Sequence, residues 1–299
     1  MIDYLRDWFW TYVWKPLPEL AIGDWMESAI RWARATWAPF FTGIKDFLEF
    51  LYSNLADALL WLPSGLMVLV FAAVAFAAKG WKLGLGMGAG MFVVAWMPYW
   101  EETMETLAMV IVSALIATII AVPLGILASE NRTVSTLTRP ALDFMQTLPA
   151  FVYLLPVVML FRVGVVPGII ATIIFCMPPG VRFTELGLRQ VDKEVVEAGQ
   201  AFGASPASIL ARIKLPLALP TIMAGLNQVI MLALSMVVIA GLVGGGGLGE
   251  IITNSLSRVD LASGFNAGLA VVFLAVFLDR VTQGLSDRTP VARAALLTQ

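Results

Sequence analysis

A polar segment between two helix-sized apolar runs has the most informative spacing in the chain. It reads E-A-G-Q-A-F-G at 197–203, and I-K-L-P follows after nine residues at 213–216. Residues 192–201 favour a helix apart from one glycine, and Gly203 is suited to the positive φ that ends a helix. Ser205-Pro206 then has the residue types preferred where a helix starts. The pattern predicts two helices joined by a glycine turn, a rigid shape that can dock into a groove on a partner protein.

The chain offers little that could perform catalysis. It has no histidine, which removes the commonest general base and metal ligand, and its one cysteine, Cys176, lies in an apolar run. The G-x-x-x-x-G-K-[ST] pattern of P-loop ATPases does not occur, and no basic stripe indicates nucleic acid. We therefore expect a protein that is not an enzyme and carries no cofactor or metal, with any ATP hydrolysed on another polypeptide.

The segment 184–216 resembles the cytoplasmic EAA loop of ABC-importer permeases, whose pattern is E-A-A-x-x-x-G, nine residues, then I-x-L-P. Gly199 stands where that pattern has its second alanine. The resemblance implies a short helix that docks into a groove on an ATPase subunit. The residues that it assigns to this coupling are Glu197, Ala198, Gly199, Gly203, Ile213, Leu215 and Pro216.

Other segments resemble the osmolyte branch of these permeases. They are T-L-P at 147–149, M-P-P-G-V-R at 177–182 and the glycine cluster G-G-G-G-L-G at 244–249. The likeness implies a type I ABC-importer permease fold and four kinds of partner: two ATPase subunits that bind ATP and Mg²⁺, a second copy of this chain, an extracytoplasmic substrate-binding protein and membrane lipid. Glycine betaine, proline betaine, choline, carnitine and trimethylamine oxide are all open as substrates.

The composition indicates a membrane protein. Hydrophobic residues make up 59% of the chain, charged residues 13%, and the mean hydropathy is +0.85, whereas soluble domains carry roughly 25% charged residues. Because a bilayer core takes about 20 mostly apolar residues per helix, the apolar runs predict an all-α polytopic protein with seven transmembrane helices, six or eight being the alternatives. The runs are 59–78, 83–98, 106–128, 147–161, 163–181, 217–243 and 265–278.

Lysine and arginine fall mostly on one side of this arrangement. With residues 184–216 inside, the short outer loops receive only Arg162 and Arg258, and the remaining loop cations and those of the tail lie inside. Positive charge favours the cytoplasmic side. The sequence therefore predicts a multi-pass protein of the bacterial cytoplasmic (inner) membrane, with its N-terminus outside and its C-terminus in the cytoplasm.

The first 58 residues differ from the rest, because they hold six of the ten tryptophans mixed with charged residues. From Asp24 onward a helical pattern places Met26, Ile30, Ala33 and Trp37 on one face. This pattern is typical of a helix that lies in the membrane interface, where tryptophan is favoured. Contact with a binding protein outside is the alternative function.

These observations divide the chain into four regions. An interfacial region spans 1–58, two accessory transmembrane helices span 59–100, the permease core spans 101–285 and contains the coupling loop 184–216, and a cytoplasmic tail spans 286–299. Within the accessory pair, glycines at 84, 86, 88 and 90 predict close helix packing.

The predicted spans hold no Asp, Glu, Lys or Arg in their interiors, so no group is available there to bind a driving ion. This argues against an ion-coupled osmolyte transporter, and neither that class nor a passive channel explains the coupling loop. A permease of another ABC-importer class is a further alternative. The candidates for lining a translocation path are Asn227, Gln228, Ser235, Gly244, Gly245, Gly246, Gly247 and Gly249. Hydrogen bonding between helices is an equally good interpretation of Asn227 and Gln228.

Overall fold

A computed structural model describes residues 2–10 and 21–287. Within these residues the chain is helical and contains no strand. The N-terminal half comprises α1 (Ile2–Phe9), α2 (Ile22–Thr36), α3 (Ala38–Leu60), α4 (Ser64–Lys79), α5 (Trp81–Trp96), α6 (Trp100–Glu130), α7 (Arg132–Thr147) and α8 (Ala150–Phe161). The C-terminal half comprises α9 (Val165–Arg189), α10 (Lys193–Ala201), α11 (Pro206–Ile209), a π-helix (Leu210–Lys214), α12 (Leu215–Ala240), a 3₁₀ turn (Gly241–Val243), α13 (Gly247–Arg258) and α14 (Leu261–Ser286).

Three long helices, α6, α9 and α12, form the centre of the bundle. Small residues allow their close approach. A Cβ placed at Gly180 of α9 would lie 2.9 Å from Cβ of Ala121 on α6 and 3.1 Å from Cγ2 of Val229 on α12. At Gly225 of α12 it would lie 2.4 Å from Cβ of Phe183. The bundle is therefore held by interlocking surfaces rather than by apolar composition alone.

Fewer than the seven predicted transmembrane helices are long and apolar enough to cross a membrane within the described residues. Four helices meet these criteria, namely α6, α9, the continuous stretch Pro206–Val243 and α14, and the number rises to six if each of two bent pairs crosses once. The pairs are α3 with α4, bent by 102°, and α7 with α8, bent by 97°. The predicted seven is not confirmed, because the remaining predicted span, α5, has only 16 residues.

The bundle has two distinct ends. At one end Lys214 Nζ lies 2.8 Å from Glu130 Oε1, and Arg189 donates to the carbonyl oxygen of Ala128 at 2.8 Å. At the other end the Gly164 N–H donates to the carbonyl oxygen of Val243 at 3.1 Å. We refer to these as the Lys214 end and the Arg162 end, Arg162 being the residue that follows α8.

The helices extend beyond the apolar runs from which they were predicted. Consequently α6 begins with Glu101, Glu102 and Glu105, α9 contains Glu185, and α14 contains Asp279. Asp279 lies one residue beyond the predicted run 265–278 but within α14, where it accepts a hydrogen bond from Asn227 of α12 at 2.9 Å. A carboxylate can be accommodated in a transmembrane helix when a neighbouring helix supplies a donor.

Close packing was predicted for the four glycines of α5, and three of them pack closely against another helix. A Cβ at Gly84 would lie 2.9 Å from Cβ of Phe76 on α4, and one at Gly88 would lie 3.1 Å from Cβ of Ala72. Gly90 instead faces Phe273 of α14, and no neighbouring heavy atom lies within 4 Å of a Cβ at Gly86. The α4–α5 pair is thus joined along one glycine-lined face.

The N-terminal region lies at the Arg162 end of the bundle. Phe41, near the start of α3, packs edge-to-face on Phe161 with ring centroids 5.5 Å apart. Leu59 and Leu60, at the end of α3, pack in the cluster that includes Tyr99 and Trp100. Helix α3 therefore passes across this end before the chain turns into α4. It ends at Leu60 and so crosses the predicted boundary at residue 58 between the interfacial region and the accessory helices. Two parts of these predictions, Trp14 and residues 288–299 of the tail, lie outside the described residues.

Candidate functional site

The segment predicted to couple to a partner begins with a capped helix. The Asp192 carboxylate accepts a hydrogen bond from the Glu194 N–H at 2.9 Å, which satisfies a donor in the first turn of α10. The helix then runs to Ala201, and the Phe202 N–H donates to the carbonyl oxygen of Ala198 at 3.1 Å. Local sequence signals are sufficient to account for this helix.

Gly203 forms the turn with a φ of 77°. Its N–H donates to the carbonyl oxygen of Gln200 at 2.9 Å, and the Ala204 N–H donates to that of Gly199 at 3.1 Å. No neighbouring heavy atom lies within 4 Å of a Cβ placed at Gly203. The glycine is therefore required by backbone conformation and not by lack of space.

The second helix starts where the sequence predicts it. The Ser205 hydroxyl accepts from the Ser208 N–H at 3.3 Å, and Pro206 occupies the first position of α11. The chain continues without interruption through the π-helix into α12, a stretch that spans Pro206–Val243. Pro216 has no N–H to donate to a carbonyl in the preceding turn. This accounts for the interruption of α-helical hydrogen bonding by the π-helix just before it. The second helix of the segment is therefore continuous with α12.

Gly199, the one position that departs from the E-A-A pattern, packs closely against the second helix of the segment. A Cβ placed at Gly199 would lie 2.7 Å from Cδ1 of Ile213 in the π-helix. Ile209 of α11 is buried beside it. Gly199 and Ile213 therefore join the two helices into one unit, while Glu197, Ala198 and Pro216 remain exposed at its surface and Leu215 is half-buried.

Phe202 is a functional candidate that the sequence analysis did not select. It is 93% exposed, directly between α10 and the Gly203 turn. A large aromatic side chain in a polar segment is the signal that could have identified it. Aromatic residues presented in this way commonly act as anchors in protein interfaces.

A polar cluster beside this segment was also not anticipated. The Glu185 side chain, 7% exposed, accepts from Ser135 Oγ at 2.7 Å, from Arg139 Nη2 at 3.1 Å and from Arg189 Nε at 2.9 Å. The first two donors lie on α7 and the last is on α9 itself. The cluster fixes α7 to the end of α9, from which the chain leaves for α10.

The polar residues of α12 do not all point the same way. Gln228 and Ser235 are exposed and lie seven positions apart, which places them on one helix face. Asn227 is half-buried, and its Nδ2 donates to Asp279 Oδ1, which also accepts from Gln283 Nε2 at 2.7 Å. Gln228 and Ser235 therefore form the exposed polar face of α12, whereas Asn227 connects α12 to α14.

The glycine cluster forms the reversal between α12 and α13. Positive φ values of 71°, 75° and 61° occur at Gly244, Gly246 and Gly247. A Cβ at Gly245 would lie 2.7 Å from the carbonyl oxygen of Ala240, and one at Gly249 2.7 Å from that of Val238. Positive φ values thus favour glycine at three of the five predicted path positions, and close packing favours it at the other two.

Helix α6 holds the start of α13. Glu105 Oε2 accepts from the Gly247 N–H at 3.0 Å, and Thr106 Oγ1 accepts from the Leu248 N–H at 2.8 Å. A carboxylate at a helix N-terminus is also favoured by the helix dipole. The Arg162 end of α12 is therefore linked to α6 through the glycine reversal.

Replacing Gly241 with alanine tests this reversal. A Cβ there would lie 2.1 Å from the carbonyl carbon of Gly249, so the two backbones must separate. We expect a loss of about 3 kcal/mol or more in stability, with a lower melting temperature and a lower yield of the detergent-purified chain. Gly86→Ala is the matched control, because its Cβ meets no neighbouring heavy atom within 4 Å. Equal melting temperatures for the two variants would contradict the packing argument.

No group of three or more potential metal ligands occurs among the residues that the structure describes. The arrangement offers an exposed pair of short helices, a continuous helix leading from them and an exposed polar face on that helix. These features suit mechanical coupling and passage of a solute.

Comparison with protein families and curated sequences points in the same direction. A family model described as "Binding-protein-dependent transport system inner membrane component" matches residues 121–289. The chain is 42% identical over 269 residues to the glycine betaine transport system permease protein OpuAB of Bacillus subtilis (strain 168), covering 90% of this chain and 95% of the relative. It is 40% identical over 266 residues to the glycine betaine/proline betaine transport system permease protein ProW of Escherichia coli (strain K12), covering 89% and 75%.

More distant matches broaden the comparison. The trimethylamine N-oxide transport system permease protein TmoV of Ruegeria pomeroyi is 35% identical over 77% of this chain and 35% of its own length. Among solved structures, an inward-facing conformation of the MetNI methionine ABC transporter matches with a TM-score of 0.52 and 25% identity, covering 63% of this chain and 92% of the matched chain.

Proposed function

This chain belongs to the family of binding-protein-dependent inner-membrane transport components, and we propose that it imports a quaternary ammonium compound or related osmolyte. It is a transmembrane permease subunit of an ABC importer, with the all-helical fold of the type I class. It is a transport component and not an enzyme. We further propose its substrate, its assembly, the residues that couple it to an ATPase and those that line the solute path.

The proposal for coupling rests on the exposed segment 192–216, which we call the coupling unit. Glu197, Ala198 and Phe202 are exposed on it, and its second helix continues into α12. A docking unit rigidly joined to a long helix is what is needed to convert movement of a partner into movement of the path. We assign Glu197 a charge-assisted hydrogen bond to the ATPase, since nothing near it suggests acid–base chemistry.

The assembly proposed is two copies of this chain, two ATPase subunits and an extracytoplasmic substrate-binding protein. ATP and Mg²⁺ bind the ATPase subunits, whose closure draws the two coupling units together and opens the path outward. To reverse a resting ratio of 1:99 between two conformations, ATP must favour the outward state by about 5.5 kcal/mol. The Lys214 end then faces the cytoplasm and the Arg162 end the outside, which agrees with the distribution of lysine and arginine.

The substrate class rests on the names of the relatives together with the chemistry of α12. Permeases named for glycine betaine, proline betaine and trimethylamine N-oxide are similar to this chain over 77–90% of its length. Gln228 and Ser235 offer neutral polar groups, which suit a zwitterion or cation that must bind weakly and leave again. The exposed position of these two residues favours them over Asn227 as path-lining side chains.

The other function classes fit less well. An ion-coupled transporter or a passive channel needs neither a binding protein nor a docking unit, and the matching family depends on a binding protein. The likeness to a methionine importer is at 25% identity, whereas OpuAB is 42% identical. The osmolyte class is therefore preferred to another class of ABC importer.

Reconstituted transport tests the proposal directly. The chain, its ATPase subunit and its binding protein would be placed in liposomes loaded with ATP, and uptake of radiolabelled glycine betaine, choline and methionine measured. We expect ATP-dependent uptake of glycine betaine in excess of methionine. Uptake by the chain alone without ATP would contradict the importer assignment, and uptake of methionine only would contradict the substrate class.

Gln228→Leu tests the proposed polar face of α12. Removal of an exposed amide in the path should lower the rate of ATP-driven uptake about tenfold while ATPase binding stays normal, because the side chain is remote from the coupling unit. Leu226→Ala is a control on the adjacent half-buried surface. Unchanged uptake kinetics in Gln228→Leu would remove this residue from the path.

A further inference from the structure

A cavity of about 370 Å³ lies at the Arg162 end, where the end of α2, the start of α3 and the turn after α8 meet. Arg34, Lys45 and Arg162 line it together with a single carboxylate, that of Asp46. The three cations come from separate elements, so the fold and not one charged run brings them together. The cavity therefore has an excess of positive charge.

The cations are only partly engaged by protein groups. Arg34 Nη1 donates to the carbonyl oxygen of Met159 at 2.9 Å, and Lys45 Nζ lies 3.9 Å from Glu49 Oε2. Within residues 2–10 and 21–287, neither Arg34 nor Arg162 forms an ion pair. Most of their donors are therefore available to an anion.

The backbone at Arg162 is unusual. It has a φ of 69°, one of two positive values at non-glycine residues in the described part of the chain. With its ψ of 177° this conformation costs an arginine roughly 1 to 3 kcal/mol, whereas glycine would adopt it freely. The charged side chain at this strained position is consistent with a role in binding.

Apart from Thr42, the remaining lining residues are apolar, and exposed tryptophans lie on α2 and directly after it. Phe41, Leu160 and Phe161 form apolar walls, and Trp37 immediately follows α2. Tryptophan favours the headgroup region of a bilayer, and a basic pocket there suits anionic headgroups. A ligand with both a phosphate and an acyl chain matches this combination of cations and apolar walls.

We propose that this cavity, the Arg34–Arg162 pocket, binds the phosphodiester headgroup of an anionic phospholipid. The cations hold the phosphate, and the glycerol and upper acyl carbons lie on Phe41 and Leu160. With the orientation proposed above, the lipid belongs to the outer leaflet. The pocket thereby fixes the N-terminal helices to the permease core through a bound lipid.

Lipid titration of the full-length chain in complex with its ATPase, in a non-ionic detergent, tests the pocket. The probes are short-chain phosphatidylglycerol, phosphatidylcholine of the same chain length and inorganic phosphate. We expect phosphatidylglycerol to bind at least about tenfold more tightly than either of the others. Equal affinity for the two lipids would overturn the proposal, and equal affinity for inorganic phosphate would overturn a lipid as the source of the anion.

Variants locate the site. Arg162→Gly removes the charge while accommodating the positive φ, so the fold is retained, and together with Lys45→Gln it should weaken phosphatidylglycerol binding about tenfold or more. Arg162→Lys should retain binding, and Arg258→Gln, which removes an exposed cation at the end of α13, should have no effect. Full binding in the double variant would overturn the assignment. ATPase binding at the opposite end is measured independently, so either proposal can fail alone.

Discussion

Phe202→Asp is expected to release the ATPase subunit from the purified importer. Phe202 is 93% exposed at the tip of the coupling unit, and a buried charge would take the place of an aromatic anchor when the unit docks. Anchors of this kind contribute about 2 kcal/mol or more, which corresponds to a loss of roughly 30-fold or more in affinity. The measurement is the dissociation constant of the ATPase for the detergent-purified chain.

The chain itself should remain folded, because Phe202 has almost no intramolecular contact to lose. Leu256→Asp is the matched control, since Leu256 is 80% exposed on α13 at the opposite end. The control is expected to bind the ATPase normally. If Phe202→Asp bound the ATPase as tightly as the control does, Phe202 would not be an anchor.

A series of substitutions at Gly203 is expected to uncouple ATP hydrolysis from transport in the order of their cost at positive φ. Valine, a β-branched residue, is the most unfavourable at the observed φ of 77°, alanine is intermediate, and asparagine tolerates this region. Because a Cβ there meets no neighbouring heavy atom within 4 Å, the effect arises from the backbone and not from a clash. Gly203→Val should reduce transport about tenfold or more while ATP hydrolysis continues.

The test measures the number of substrate molecules taken up per ATP hydrolysed in liposomes. Gly203→Asn serves as the control and should keep a ratio close to that of the unmodified chain. Equal ratios for valine and asparagine would show that the conformation of the turn is not needed for coupling. A fall in both variants would indicate that the glycine surface itself contacts the ATPase.

Much of the coupling unit could be predicted from local sequence, because its determinants are separated by only a few residues. Asp192 and Ser205 cap their helices through hydrogen bonds to groups two or three positions away, and Gly203 meets a requirement of its own φ. The contact between Gly199 and Ile213 could not be predicted in this way, because it depends on how the two helices fold against each other.

The side chains that line the proposed solute path were harder to predict, because the direction of a side chain in a hydrophobic helix depends on the neighbouring helices. Asn227 and Gln228 are adjacent in sequence, yet Asn227 binds Asp279, 52 positions away, while Gln228 is exposed. In a membrane helix that is apolar on every face, hydrophobic periodicity cannot indicate which face meets another helix.

The sequence by itself determined the membrane class, the helical architecture and the helix–turn–helix at 192–216 that we propose as the coupling unit, since these follow from composition, helix-length apolar runs and local capping signals. Only the tertiary structure decided which polar groups meet, because such contacts depend on distances between helices and not on spacing along them. It paired Asn227 with Asp279, joined Glu185 of α9 to α7, and left Phe202 at the surface. It also brought Arg34, Lys45 and Arg162 around a single cavity.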